Sequence, residues 1–173
     1  FHATKLYHTI EGGAVVTNDA ELLKQMAYTR NFGFESFESF ACVGINGKNS
    51  EFHAAMGLAN LKSINDILRS RKEQVAAYER ELAELNAQRL KVQPGAEWNY
   101  SYYPVVFKTE EALLKSVELL NDNWIYPRRY FYPSLSGVSY VKKYSTPISD
   151  DIARRVLCLP LYHSLKNEDI AFI

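Results

Sequence analysis

Between Ser50 and Leu85 apolar residues recur at Leu61, Ile64, Leu68, Val75, Tyr78, Leu82 and Leu85. Steps of three, four and seven are the mark of an amphipathic helix, either one long rod or two pieces joined by a bend. A helix with a single apolar stripe has to bury that stripe against another layer, so this segment fixes the kind of fold the chain can adopt. Ser50 is placed to cap the helix, and Glu51 suits its positive end. The charged run Arg69-Ser70-Arg71-Lys72-Glu73 reads as the solvated face. A coiled coil requires sustained heptads, whereas this stripe is short and Arg71 interrupts it.

The layer that could cover the helix follows Gln93-Pro94-Gly95, the strongest boundary in the chain. Tyr100 to Phe107 alternates as a strand. Thr109 opens a helix carrying Leu113, Leu114, Val117 and Leu120. Trp124 to Tyr132 is expected to be a second strand, with Tyr130 and Tyr132 on one side. Ser149-Asp150-Asp151 is expected to cap a short helix, and Leu157 to Leu161 to form a last strand. Strands alternating with helices predict a small sheet with helices on one face. Upstream, Gly12-Gly13 marks a turn into a short strand at Val15-Val16, and Asp19 caps a helix over residues 20–28. The aromatic and Gly-rich stretch from Arg30 to Lys48 is expected to be a packed loop at a site or interface. The fold class is therefore α/β, grading into α+β at the C-terminal end. Residues 1–49 form a first part, 50–93 a long connecting helix, and 94–173 a small C-terminal domain. Asn167 reads as an N-cap, so the sequence stops one turn into a helix, as a piece of a longer protein would.

The formal net charge is zero, which gives no electrostatic case for nucleic acid or an anionic membrane. No apolar run reaches the roughly 20 residues of a membrane span. The two cysteines, Cys42 and Cys158, lack metal or redox spacing and are expected to be buried free thiols in a reducing cytoplasm.

Lys5 is the first candidate for chemistry. Most lysines are solvated surface charges. This one lies among Ala3, Thr4, Leu6 and Tyr7, a few residues before a Gly-Gly turn. Burial there would favour the neutral amine, a nucleophile towards carbonyl groups.

Phe1-His2-Ala3-Thr4-Lys5, followed by Thr9-Ile10-Glu11-Gly12-Gly13-Ala14, resembles the cofactor-lysine motif of the DegT/DnrJ/EryC1/StrS aminotransferases, which act on nucleotide-linked sugars. Gly44-Ile45-Asn46-Gly47-Lys48-Asn49-Ser50-Glu51-Phe52-His53-Ala54-Ala55-Met56-Gly57-Leu58 resembles a second family signature. Arg128 to Pro133 and Val156 to Leu161 resemble its C-terminal blocks. The resemblance implies part of the fold type I architecture of enzymes that use pyridoxal 5'-phosphate (PLP). It implies that Lys5 holds PLP covalently and later moves a proton. It also implies a homodimer with shared active sites, in which Asn46 reaches the cofactor phosphate of the neighbouring subunit. The substrates implied are a nucleotide sugar, in flavour a dTDP-3-keto-6-deoxyhexose, and an amino-acid donor, expected to be glutamate.

Several residues keep two readings. Asn46 is a phosphate ligand by resemblance and a turn residue by its flanking glycines. Lys48 stands where the family more often has Arg, and could offer charge to an anionic substrate but no bidentate fork. His2 could line the site or be structural. Tyr130 and Tyr132 lie near the sugar by resemblance, or are ordinary strand aromatics. Phe32 occupies the family's His position in Arg30-Asn31-Phe32-Gly33. By the same resemblance the phosphate-binding serine, the partner of the pyridinium nitrogen and the ring-stacking side chain fall before Phe1, so the chain alone is expected to be silent. The competing readings are a non-catalytic interaction module and a PLP protein of other chemistry.

Overall fold

The order of elements follows from where helix caps and strand partners are available. The computed structural model describes residues 1–173 and contains six α-helices and three short strands. The chain divides into two compact units, Phe1–Ile64 and Asn65–Ile173. The boundary falls inside the stretch expected to be one connecting helix. Two helices occupy that stretch, α2 (Glu51–Leu61) and α3 (Ile64–Glu81). The last turn of α2 tightens, with Lys62 N–H donating to Ala59 O at 3.3 Å and Ser63 N–H to Asn60 O at 3.1 Å. Asn60 and Ser63 are weak helix formers, and the helix is interrupted where the two fall close together.

In the first unit Asp19 caps α1 (Ala20–Arg30), its carboxylate accepting from the amides of Glu21 and Leu22. Ser50 caps α2 through the His53 amide. Val15 and Val16, expected as a strand, are 77% and 90% exposed and pair with nothing in this chain. A strand needs a neighbour to take its backbone hydrogen bonds, and none is supplied here. Leu22 and Leu23 on α1, Phe52 and Leu58 on α2, and Leu61 are likewise exposed. Ile64 and Leu68, further along the same apolar stripe, are half-buried.

The second unit holds the hydrophobic core. Strands β1 (Gln88–Arg89), β2 (Tyr103–Val106) and β3 (Val156–Leu159) form an antiparallel sheet in the order β1-β2-β3. Tyr103 and Val105 of β2 point inward and are almost fully buried. They join Val75, Ala77 and Tyr78 of α3, Leu113 of α4 (Glu110–Asp122), Leu157 of β3, Leu165, and Ile170 of α6 (Asn167–Phe172) in one cluster. Tyr78 stacks on Tyr103 with ring centroids 4.8 Å apart, and its hydroxyl donates to Pro160 O at 2.8 Å. Arg71 is the interruption in the apolar stripe. It donates to Tyr100 O and Ser101 O at 3.1 and 3.0 Å, fastening α3 to the approach to β2. β1 lies before the Gln93-Pro94-Gly95 boundary yet pairs with β2, so that boundary is a connection within the sheet.

Thr109 caps α4 as expected, accepting from the Ala112 amide at 3.1 Å. The strand expected from Trp124 to Tyr132 does not form. Trp124 has φ 61°, its N–H donates to Asn121 O, and the Ile125 N–H returns to Leu120 O. That pair of bonds is a Schellman cap, so the start of the expected strand instead closes α4. Only Arg128 pairs, in a single antiparallel rung with Cys158. Helix α5 (Pro147–Arg155) starts earlier than its expected acidic cap, because Pro147 fits the first turn. Lys166, not Asn167, occupies the N-cap of α6, and the Asp169 carboxylate accepts from the Lys166 amide at 3.2 Å. Cys158 is buried, and burial pushes its thiol up to about 11. Cys42, expected to be buried too, is exposed on its loop.

Candidate functional site

Residues 1–12 form a loop closed on itself. The Phe1 backbone nitrogen donates to Gly12 O at 2.7 Å, and the Thr9 N–H donates to Phe1 O at 3.0 Å. Thr9 is buried and its hydroxyl donates to Glu11 O. The loop is fastened to α2, where the Asn60 amide donates to His8 O at 2.9 Å. Gly57 permits the contact, since a Cβ there would lie 2.8 Å from Thr9 Cγ2 and 2.9 Å from the Tyr7 hydroxyl. A lone glycine inside a helix was the available signal for this close approach, and the motif reading passed over it.

Lys5 stands at the outer side of this loop. Its N–H donates to His2 O at 3.0 Å, and its side chain is exposed in this chain. The apolar surroundings expected around it are not supplied by the residues of this chain. His2 is tied locally. Its Nδ1 accepts from the Thr4 amide at 3.2 Å, which leaves the proton on Nε2, 3.5 Å from Glu11. Both ring nitrogens thus face groups of the lysine loop itself.

The segment 29–48 is a packed loop. Asn31 bridges to Asn46, and the Phe32 N–H donates to Ile45 O at 2.9 Å, while Ile45 and Gly47 donate back to Thr29 O and Arg30 O. Gly33 and Gly44 touch backbone to backbone: a Cβ on Gly44 would lie 2.0 Å from the Gly33 nitrogen. On this support Lys48 Nζ donates to Asn46 Oδ1 at 3.0 Å and sits 3.8 Å from the centre of the Phe32 ring. Asn46 is thus oriented with its oxygen committed, leaving the amide nitrogen as the donor group. Phe32 and Lys48, two residues that depart from the family pattern, meet in one cation–π contact.

In the second unit Arg128 Nη1 donates to the Tyr130 hydroxyl at 2.9 Å. Arg129 lies 3.8 Å over the Tyr132 ring and pairs with Glu110 at 2.6 Å. Tyr130 also packs edge-on against Tyr102, 5.4 Å between centroids. Because no strand forms here, strand alternation does not place the two tyrosines. The arginines do.

Just beyond them, Asp150 accepts through one oxygen from Ser134 and Ser136 and, at 3.2 Å, from Thr146. These bonds hold its carboxyl below the ordinary carboxylate range, with Ser134 first among the causes. A depressed folded pKa means the tether is fully present above the usual value of roughly 4 and is lost as pH falls through the lower folded value. Amide exchange across residues 133–146, corrected for intrinsic rate, should rise in Asp150→Ala at neutral pH and in the unaltered chain only in acid. Equal protection in the variant would show that the loop does not depend on Asp150. A cleft of about 430 Å³ lined by Ser70, Glu73, Gln74 and residues 165–168 holds none of the candidate catalytic or binding residues.

A lysine on a Gly-flanked closed loop, a hairpin-like asparagine loop leading into a capped helix, and a small antiparallel sheet behind an Arg-Tyr segment define one class of protein. The model of the DegT/DnrJ/EryC1/StrS aminotransferase family matches residues 1–173, and the chain belongs to that family. It is similar to a dTDP-4-amino-4,6-dideoxy-D-glucose transaminase of Shigella dysenteriae, 32% identical over all of this chain and 49% of that protein. It is also similar to a GDP-perosamine synthase of Escherichia coli O157:H7, 29% identical over all of this chain and 48% of that protein. Among solved structures, DesI in the presence of its TDP-sugar product superposes with a TM-score of 0.85 at 31% identity, covering 99% of this chain and 46% of DesI. The chain spans about half the length of the curated relatives it matches. The fold is that of the fold type I, PLP-dependent aminotransferases.

The residues present fit that cofactor at two points. Lys5 offers an exposed primary amine on a pinned loop, and Asn46 offers an amide nitrogen free of other partners. These two would hold, respectively, an aldehyde carbon and a phosphate.

Proposed function

We propose that this chain is the lysine-bearing part of a PLP-dependent aminotransferase that places an amino group on a nucleotide-linked keto sugar. The observation that carries the proposal is the closed, α2-anchored loop presenting Lys5, set in a chain that matches the family along its whole length. When bound, PLP supplies the electron sink through which an amino group passes from donor to sugar. The chain's own side chains hold and orient. Lys5 contributes the amine that attaches the cofactor and, once released, is a base for the migrating proton. Asn46, turned by Lys48, gives a neutral donor to a phosphate, and in the proposed dimer it does so across the two-fold axis. Tyr130 and Tyr132 offer ring faces and hydroxyls to a sugar, which has both apolar and polar surfaces. Lys48, engaged with Asn46 and Phe32, acts by orienting Asn46 towards the cofactor phosphate, and brings its positive charge to the side from which an anionic substrate would approach. A cytoplasmic location is proposed with the same reading, and no helix of the chain is long and apolar enough to cross a membrane.

For the position aminated, the sequence motifs favour carbon 3 of a dTDP-3-keto-6-deoxyhexose with glutamate as donor. The name of one curated relative, a dTDP-4-amino-4,6-dideoxy-D-glucose transaminase, favours carbon 4. The complete subunit loaded with PLP, given glutamate and either the 3-keto or the 4-keto dTDP sugar, separates them by the position of the new amine. Turnover of neither sugar nucleotide, with PLP bound, would overturn the reading.

A further inference from the structure

Arg128 and Arg129 are adjacent but differently employed. Arg129 is half-buried, neutralised by Glu110 at 2.6 Å, and also donates to Arg154 O at 2.9 Å. Its charge is used within the fold. Arg128 is exposed and forms no ion pair. It is nevertheless held in place. Its backbone is locked to β3 by two bonds, its N–H to Cys158 O at 3.0 Å and the Cys158 N–H to its carbonyl at 2.8 Å. That rung is available because Cys158 sits opposite Pro104 in a non-hydrogen-bonded pair, so both of its backbone groups point away from β2. The guanidinium is positioned in turn, with Nη1 on the Tyr130 hydroxyl at 2.9 Å and the cation 5.6 Å from the Tyr130 ring centre. Tyr130 is braced by Tyr102 and by Phe131, centroids 5.4 and 4.7 Å away.

An ordered guanidinium with no counter-ion and most of its donor fork unused suits an oxyanion, which it can grip bidentately. The bond from Nη1 also occupies the Tyr130 oxygen as acceptor and leaves the phenol proton for a neighbouring hydroxyl or carbonyl. We infer that Arg128 binds the diphosphate of the nucleotide-linked substrate, while Tyr130, oriented by it, meets the adjoining sugar. This rests on the aminotransferase reading, which brings Tyr130 to the sugar; the diphosphate is the anion covalently joined to that sugar.

The test uses the PLP-loaded complete subunit, with dTDP as a sugar-free probe. Arg128→Gln should raise the KM for the dTDP-keto sugar and the inhibition constant of dTDP by about tenfold or more, as loss of a charge-assisted contact does. The kcat and the KM for glutamate should stay within about twofold of the parent, since the altered contact is with the nucleotide. Arg128→Lys keeps the charge but not the fork and should recover part of the loss. Tyr130→Phe, which keeps the Arg128 charge but loses the hydroxyl that positions it, should weaken dTDP inhibition less than Arg128→Gln does and raise the KM for the sugar nucleotide. Unchanged dTDP inhibition in Arg128→Gln, with an unchanged melting temperature, would overturn the inference, as would a loss that falls on glutamate instead. If the Gln variant melts early, the Lys variant decides: parental dTDP inhibition supports the charge, and an equal loss in a stably folded Lys variant supports the fork. Parental inhibition in both variants overturns the role. Failure of the underlying reading looks different, because the unaltered enzyme would then turn over no sugar nucleotide at all.

Discussion

Lys5→Ala should abolish transamination in the PLP-loaded complete subunit, with a fall of at least about a thousandfold, in the range for losing a positioned acid–base group. The loss should leave the fold intact, because the Lys5 side chain is exposed and the loop is closed by backbone bonds from Phe1, Lys5 and Thr9. Borohydride treatment of the unaltered enzyme, followed by peptide mass analysis, should find the pyridoxyl group on Lys5. Trapping on another lysine, or on none, would remove Lys5 from the mechanism. The same variant tests the proposed dimer. Mixed with Asn46→Ala subunits, it should recover activity, since each heterodimer would assemble one site with both an intact lysine and an intact asparagine. Absence of recovery in demonstrated heterodimers would assign Asn46 to its own subunit or to no site.

The second large effect concerns stability. Tyr78→Ala should destabilise the Asn65–Ile173 unit by about 3 to 5 kcal/mol, the range for truncating a large buried aromatic side chain. Tyr78 is fully buried, stacks on Tyr103 and bonds Pro160 O, so the substitution removes packing and leaves a buried carbonyl without its donor. Tyr78→Phe keeps the ring and should cost about 1 to 2 kcal/mol, close to one hydrogen bond and its unpaired partner. Urea denaturation followed by far-ultraviolet circular dichroism would measure both. A midpoint for Tyr78→Ala indistinguishable from the unaltered protein would show that the unit is held together elsewhere. Burial raises the Tyr78 hydroxyl above the ordinary tyrosine range, so it stays a neutral donor through the physiological range.

The site was more legible in the sequence than its mechanics. The order of motifs was enough to single out Lys5 and Asn46, because each belongs to a short contiguous stretch. The partners of Lys48 could not be read that way. Phe32 lies sixteen positions from it and arrives only because Gly33 and Gly44 let two backbones touch. The orientation of Tyr130 was likewise out of reach of strand alternation. The strand that would have set it is replaced by the helix cap at Trp124 and a single rung at Arg128.

By itself the sequence determined what depends on neighbours along the chain. The caps at Asp19, Ser50 and Thr109 are local hydrogen bonds between a side chain and amides two or three residues on, and each formed where the residues indicated. The apolar stripe of α3 and the inward alternation of β2 are local periodicities, and both formed. Tertiary structure decided what depends on a distant partner. Val15-Val16 has strand propensity but no strand beside it, and it stays unpaired and exposed. Gln88-Arg89 has little strand signal, yet pairs with Val105-Val106 because that edge of β2 is open. A β-strand is completed by hydrogen bonds from another segment, whereas a helix satisfies most of its own. That difference is why the helices could be read from the chain and the sheet had to be seen.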